Sequence, residues 1–245
     1  LAGKKPILAI YSTFMQRGFD QLIHDCALQE APVILALDRA GLVGEDGPTH
    51  HGVFDLSYLR MIPNMSIMAP KDENELQHML YSANQYERLV ALRYPRGEGQ
   101  GVVLDETFKV LPYGKSEVLH EGKEAVLIAV GTMVKAALGA REILAQEGFD
   151  LGVVNARFVK PLDTAFLDQL ISEGKTIFTL EDNVLAGGFG AGVSEYLHKV
   201  QASNTLVSFG IEDEFVEHGK VTILRQKLGL DAKSLAERIE KILNK

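Results

Sequence analysis

The sequence predicts an α/β protein built as two consecutive domains, each on a mostly parallel sheet. Three observations lead there. Apolar runs of strand length alternate with helical stripes along the whole chain. The runs are apolar throughout, so each strand must be covered on both faces, as parallel sheets flanked by helices require. And one stretch near the middle, rich in glycine and charge, lacks either period and reads as a linker.

The elements follow in order. "PILAIYS" (6–12) is a first buried strand. In 14–29, Met15, Phe19, Leu22, Ile23, Cys26 and Ala27 recur three and four apart, which makes one helical stripe. "PVILALD" (32–38) is a second strand, followed by a glycine-rich loop and a short helix over 55–62. "MSIMAP" (65–70) is a third strand. The helix over 72–84 opens with Asp72 and Glu73, which suit the positive end of a helix dipole. "RLVALRYP" (88–95) is a fourth strand that Pro95 ends. These make a first domain over 1–97, a linker over 98–112 and a second domain over 113–245. In the second, strands at 124–131, 151–158, 176–182 and 205–211 alternate with helices at 133–147, 163–173 and 187–200. Two helices near 218–228 and 231–243 close the chain.

Composition removes several classes of function. A net charge of −8 disfavours a nucleic-acid surface, which needs clustered Lys and Arg. No apolar run approaches the roughly 20 residues of a membrane helix, and no signal-peptide pattern opens the chain. With Cys26 as its one cysteine the chain has no internal disulfide and no cysteine-built zinc site, and Cys26 reads as a small core residue. A cytoplasmic setting is expected. The chain starts at Leu1 and enters a buried strand almost at once, which suggests part of a longer polypeptide.

Chemistry concentrates at three strand ends, where open α/β sheets bind ligands. After the second strand, "DRAGLVGEDGPTHHG" supplies Arg39, Asp46, His50 and His51. Gly47-Pro48 favours a tight turn bringing Asp46 and His50 to one side, where a histidine beside a carboxylate suits a proton carrier or a donor to a substrate oxygen. The plain alternative is a solvated loop. "LRYPRG" places Arg93 and Arg96 at another strand end, where a planar fork suits phosphate or carboxylate, or else makes surface ion pairs. "YSTFMQR" carries Tyr11, Phe14 and Arg17 out of the first strand, where Phe14 either stacks on a heterocycle or joins the core. In the second domain "GGFGAGV" misses the dinucleotide spacing, since the third glycine falls at Gly192 and not at Val193. It reads as close helix–strand packing or a subunit contact. Arg157 and Lys160 in "ARFVKPLD" read as structural or interface residues.

Taken together, "AIYSTFMQRGFDQLIHD", "ALDRAGLVGEDGPTHHGVFDLSYLRMIPNMSIMAPKDENEL", "LRYPRGEG", "ARFVKPLD" and "EDNVLAGGFGAGV" resemble the 1-deoxy-D-xylulose-5-phosphate synthase family, in order and along essentially the whole chain. "GEDGPTH" alone is shared with transketolases; "YSTFMQR", "DLSYLRMIPNM" and "RYPRG" separate the synthases from them. The resemblance implies a transketolase-like fold: most of a pyrimidine-binding domain, then a transketolase C-terminal domain. It implies condensation of pyruvate with D-glyceraldehyde 3-phosphate, with loss of carbon dioxide, on thiamine diphosphate and Mg2+. By motif, Phe14 stacks on the aminopyrimidine with Arg17 close by. Tyr11, Arg39 and Arg96 line the acceptor pocket and hold its phosphate, and Asp46 and His50 meet the reacting oxygens. A homodimer is implied as well.

The departures are equally plain. The family's metal- and diphosphate-binding Gly-Asp-Gly…Asn motif is not in this sequence, nor is the glutamate segment that precedes "YSTF". Metal and diphosphate ligands are therefore expected on an N-terminal domain supplied in cis or in trans, with the chain alone inactive. A transketolase half, a pyruvate dehydrogenase β-type subunit, or a non-catalytic dimerisation or partner-binding remnant are the alternatives.

Overall fold

The computed structural model of the protein describes residues 3–244. Its apolar runs form two five-stranded sheets. In the first, β1 (Ile7–Tyr11), β2 (Ile34–Asp38), β4 (Val90–Arg93) and β3 (Ser66–Met68) lie side by side in that order, all parallel. In the second, β10 (Leu206–Ile211), β9 (Thr176–Val184), β6 (Ala125–Ala129) and β7 (Leu151–Asn155) run parallel. Strand β5 (Glu117–His120), not anticipated from the sequence, pairs antiparallel at the β7 edge.

The stretch read as one strand over 151–158 divides. After β7 the chain turns at Arg157, whose φ is 54°, and β8 (Phe158–Lys160) leaves the second sheet. It pairs antiparallel with β3 and completes the first sheet. The second half of the chain thus lends a strand to the first.

The helical stripe after β1 also departs from one regular helix. It begins as α1 (Ser12–Met15), tightens through a 3₁₀ turn at Gln16–Gly18, resumes as α2 (Phe19–Gln21) and widens into a π-helical stretch at Leu22–Ala27. Gly18, a residue about 1 kcal/mol worse than alanine in a helix interior, stands at the first irregularity. The predicted stripe persists: Met15, Leu22 and Ala27 are buried, and Cys26 is half-buried against the same core.

The remaining helices are α3 (Asp55–Arg60), α4 (Glu73–Gln85), α5 (Met133–Gln146), α6 (Thr164–Ser172), α7 (Phe189–Lys199), α8 (Val221–Lys227) and α9 (Ala232–Leu243). Asp72 caps α4, its side chain accepting from the Glu75 N–H at 2.7 Å. No helix of the described residues is long and apolar enough to cross a membrane.

One apolar core spans both halves. It runs from Leu35, Leu37 and Leu59 to Val126, Ile128, Phe189 and Val193. Each fully buried side chain of this size contributes about 1.5–3 kcal/mol. The aperiodic stretch between the halves is also anchored. Glu73 receives N–H bonds from Gln100, Gly101 and Val102, and the buried His78 bonds Asp105 at 2.9 Å and accepts from the Lys109 N–H at 3.2 Å. Leu111 inserts beside Met79 and Phe158.

The glycine-led helix answers the question posed by "GGFGAGV". A Cβ on Gly190 would overlap Ser208 and come within 2.7 Å of Thr179 Oγ1, so glycine lets α7 lie directly on β9 and β10. Glu181, fully buried on β9, accepts the Phe189 and Gly190 N–H groups at 2.8 Å each and so caps α7 from the sheet. Burial pushes its pKa up from 4.5 to about 7, against the pull of those two N–H groups and of Arg93. A carboxyl raised on folding stabilises the native state most below its unfolded pKa, and that contribution fades as pH rises toward 7. Relative to Glu181→Gln, the wild-type chain is therefore expected to lose about 3 kcal/mol of stability between roughly pH 4.5 and pH 7. Urea unfolding of both proteins at pH 5 and pH 8 measures it.

Candidate active site

Parallel pairing sets the site. Tyr11 is in register with Asp38, and Leu37 with Arg93, so the segments that follow β1, β2 and β4 emerge along one edge of the first sheet. The three clusters found in the sequence are thereby brought together.

At this edge Tyr11 and Phe14 stack, with centroids 5.0 Å apart and planes 11° from parallel. The Arg39 guanidinium lies over the Tyr11 ring at 3.8 Å and is ion-paired with Asp38. His50 meets Phe14 edge-on at 5.7 Å, and its Nδ1 bonds Thr49 Oγ1 at 3.0 Å. Thr13 Oγ1 donates to the Thr49 carbonyl at 2.9 Å, tying the helix after β1 to this loop. Phe14 nonetheless remains 41% exposed, which leaves an aromatic surface open beside His50.

Asp46 accepts from Arg96 Nη1 at 2.5 Å in a half-exposed ion pair. Arg39 and Arg96 line one cleft of about 470 Å³ together with Lys71, Tyr94 and Gln100. The cleft thus holds both candidate anion-binding arginines, while Tyr11, Phe14 and His50 lie outside its lining. Arg17 is exposed on the next turn, with no hydrogen bond or ion pair among the described residues.

Arg93 has a different fate from Arg96. It is 4% exposed and bonds Asp55 Oδ2 through Nε at 3.0 Å, Asp182 Oδ1 through Nη1 at 2.8 Å, and the Gly52 carbonyl through Nη2 at 3.3 Å. Burial works against its charge, but the two carboxylates outweigh burial and raise its pKa above the ordinary arginine value. For Asp55 burial dominates and pushes the pKa up, with Arg93 opposing. Arg93 is thus a buried junction between the first sheet and β9. Asp182 also explains Gly41, whose φ is +75° and on which a Cβ would overlap the Asp182 carboxylate.

Reading the sequence by motif missed this junction, because Asp55 and Asp182 lie far apart in the chain and neither stands at a recognisable spacing. Arg157 and Lys160 are interface residues, as expected. Arg157 pairs with Glu75 at 2.7 Å and Glu117 at 3.0 Å, and Lys160 donates to the Arg60 carbonyl at 2.9 Å.

Comparison with known proteins agrees with this architecture. The family model "Transketolase, pyrimidine binding domain" matches residues 1–101, and "Transketolase, C-terminal domain" matches residues 114–235. Each half of the chain is thus similar to a transketolase domain, and the two matches follow one another in order. A curated relative from Pelotomaculum thermopropionicum, named 1-deoxy-D-xylulose-5-phosphate synthase, is 53% identical over 97% of this chain and 37% of its own length. One of the same name from Halalkalibacterium halodurans is 48% identical over 98% of this chain and 39% of its own. The chain therefore spans under two-fifths of the length of these relatives.

Among solved structures, a split-gene transketolase described as an inactive β4 tetramer superposes with a TM-score of 0.86 at 28% identity, over 99% of this chain and 77% of that one. A transketolase from Campylobacter jejuni gives a TM-score of 0.74 at 22% identity, over 96% of this chain and 35% of its own, and shares the fold.

On this transketolase frame the two arginines of "RYPR" have opposite energetics. Arg93→Leu strands two buried carboxylates and is expected to destabilise the chain by about 3–5 kcal/mol. Arg96→Ala and Asp46→Asn break only an exposed pair and should change stability by no more than about 1 kcal/mol. Urea denaturation of the three variants beside the wild type checks the contrast.

Proposed function

We propose that this chain is the pyrimidine-binding and C-terminal portion of a thiamine-diphosphate-dependent transferase that condenses pyruvate with D-glyceraldehyde 3-phosphate to 1-deoxy-D-xylulose 5-phosphate, releasing carbon dioxide. The observation that carries the reading is a stacked, half-open aromatic pair beside a cleft bearing two arginines, in a chain 53% identical to a relative of that name.

The residues present fit the aromatic end of the cofactor: Phe14 is planar, exposed and backed by Tyr11. Among the described residues no group of three or more His, Cys, Asp or Glu is arranged to hold a metal ion. Mg2+ and the diphosphate are assigned to a diphosphate-binding domain supplied in cis or in trans, and the assembly to a homodimer.

Bound thiamine diphosphate supplies the carbanion chemistry; the chain orients and polarises. Arg39 and Arg96 are neutralised by Asp38 and Asp46 in this structure, and a substrate phosphate offers each a stronger, bidentate partner. As Arg96 turns to the phosphate, Asp46 is released to accept a hydrogen bond from a substrate hydroxyl. His50 uses Nδ1 on Thr49, so its other nitrogen is available to a reacting oxygen. Tyr11 is held between Arg39 and Phe14, and through Arg39 it backs the arginine-bearing cleft. Arg17, exposed on the 3₁₀ turn that directly follows the helix of Phe14, is assigned to the cofactor.

The test mixes this chain with the separately expressed N-terminal remainder of the P. thermopropionicum relative, in thiamine diphosphate and magnesium, and follows carbon dioxide and product. Turnover is expected only in the mixture. Arg96→Ala should raise KM for glyceraldehyde 3-phosphate by roughly 10- to 100-fold, the loss of a charge-assisted hydrogen bond, and leave pyruvate KM unchanged. A folded, associated mixture without turnover would overturn the reading in favour of a non-catalytic role.

A further inference from the structure

His51 follows His50 directly, yet it is only 2% exposed. Its Nδ1 accepts the Val43 backbone N–H at 3.1 Å, and its Nε2 lies 3.0 Å from the Glu217 carbonyl oxygen. These two contacts determine the tautomer. Val43 can only donate, so Nδ1 carries the lone pair; the Glu217 carbonyl can only accept, so Nε2 carries the proton. A neutral ring with its proton on Nε2 satisfies both, and no other form does.

The positions of the partners give the ring its meaning. Val43 and His51 are the two ends of the loop that carries Asp46 and His50. One imidazole therefore braces the loop across its base, above the paired N–H···O bonds between Gly41 and Gly52 at 2.7 and 2.9 Å. Its other nitrogen ties that base to the second half of the chain. The same segment of the second half touches the loop twice more. Gly219 N–H donates to the Gly44 carbonyl at 3.3 Å, and Gly47 packs so closely that a Cβ there would lie 3.2 Å from His218 Cβ.

We propose that His51 is a positioning residue, through which the 217–219 segment of the second domain sets where Asp46 and His50 stand. It touches neither substrate nor cofactor. Its effect on turnover rests on the function proposed above; its effect on the loop does not. Glutamine offers one acceptor and one donor on a side chain of similar reach, so it can replace both bonds, whereas leucine fills the space, leaves the buried Val43 N–H without a partner and gives up the bond to the Glu217 carbonyl.

The test uses the full chain and two variants, His51→Gln and His51→Leu. Nitrogen-15 NMR of labelled histidine should show His51 with an unprotonated Nδ1 and a protonated Nε2. Exchange of the Val43 amide should rise roughly tenfold or more in His51→Leu, stay within about twofold of wild type in His51→Gln, and hardly change at β6 in either. In the reconstituted mixture, kcat/KM for glyceraldehyde 3-phosphate should fall roughly tenfold in His51→Leu and recover in His51→Gln.

A proton on Nδ1, or equal Val43 exchange in all three proteins, would overturn the brace. Altered exchange with unchanged acceptor kinetics would overturn its role in positioning. Should His51→Leu not fold, the tautomer and the glutamine variant decide. If the wild-type mixture has no turnover, the proposed function fails while tautomer and exchange still judge the brace.

Discussion

A single buried guanidinium holds the arrangement in register. Arg93, at the carboxyl end of a central strand, meets a carboxylate from the helix after the glycine-rich loop, a carboxylate from β9 in the second sheet, and the carbonyl of Gly52. Burying one charge among apolar strands is costly, and the cost is offset only when every partner is in place. The contacts therefore act as a gauge. The apolar core gives the two halves their affinity, and Arg93 allows them one relative position. The overlap that any side chain at Gly41 would make with Asp182 shows how tightly that position is set.

From this junction the consequences run outward to the cleft. Gly52, held by Arg93, ends the loop that begins at Arg39. The loop's two ends are joined by the Gly41–Gly52 pair and by His51, and its back rests on residues 217–219. Its polar tip, with Asp46 and His50, is left half-exposed next to Arg96 and Phe14. A rigid base with a solvated tip accords with the proposed function: burial sets the geometry of the loop, and the polar groups at its tip keep partners that a ligand can displace.

Much of this was legible in the residues. Apolar runs placed most of the strands, although β1, expected to be buried, is an edge strand with Ile7 and Leu8 exposed; parallel pairing made the convergence of Tyr11, Arg39 and Arg96 on one edge a consequence of strand ends facing one way. Arg157 and Lys160 read as structural or interface residues, and the glycines of "GGFGAGV" as helix–strand packing or a subunit contact because their spacing misses the dinucleotide motif; Gly190 takes the packing role. What stayed hidden depended on contacts distant in sequence. β8 looks like the end of β7 until the turn at Arg157 sends it to the other sheet. Arg93 and Arg96 sit in one tetrapeptide and look equivalent, but strand alternation and the end of β4 send one inward and leave the other outside. His50 and His51 are likewise adjacent and opposite, and only the Val43 and Glu217 contacts reveal it.

The measurement that tests the central claim most directly is a double-mutant cycle between Arg93 and Asp182, read as unfolding free energy of the chain. The account predicts a coupling energy of about 0.5–3 kcal/mol across the two halves, the range for contacting residues in one network. A coupling near zero would mean that Arg93 does not gauge the junction, and would contradict the account.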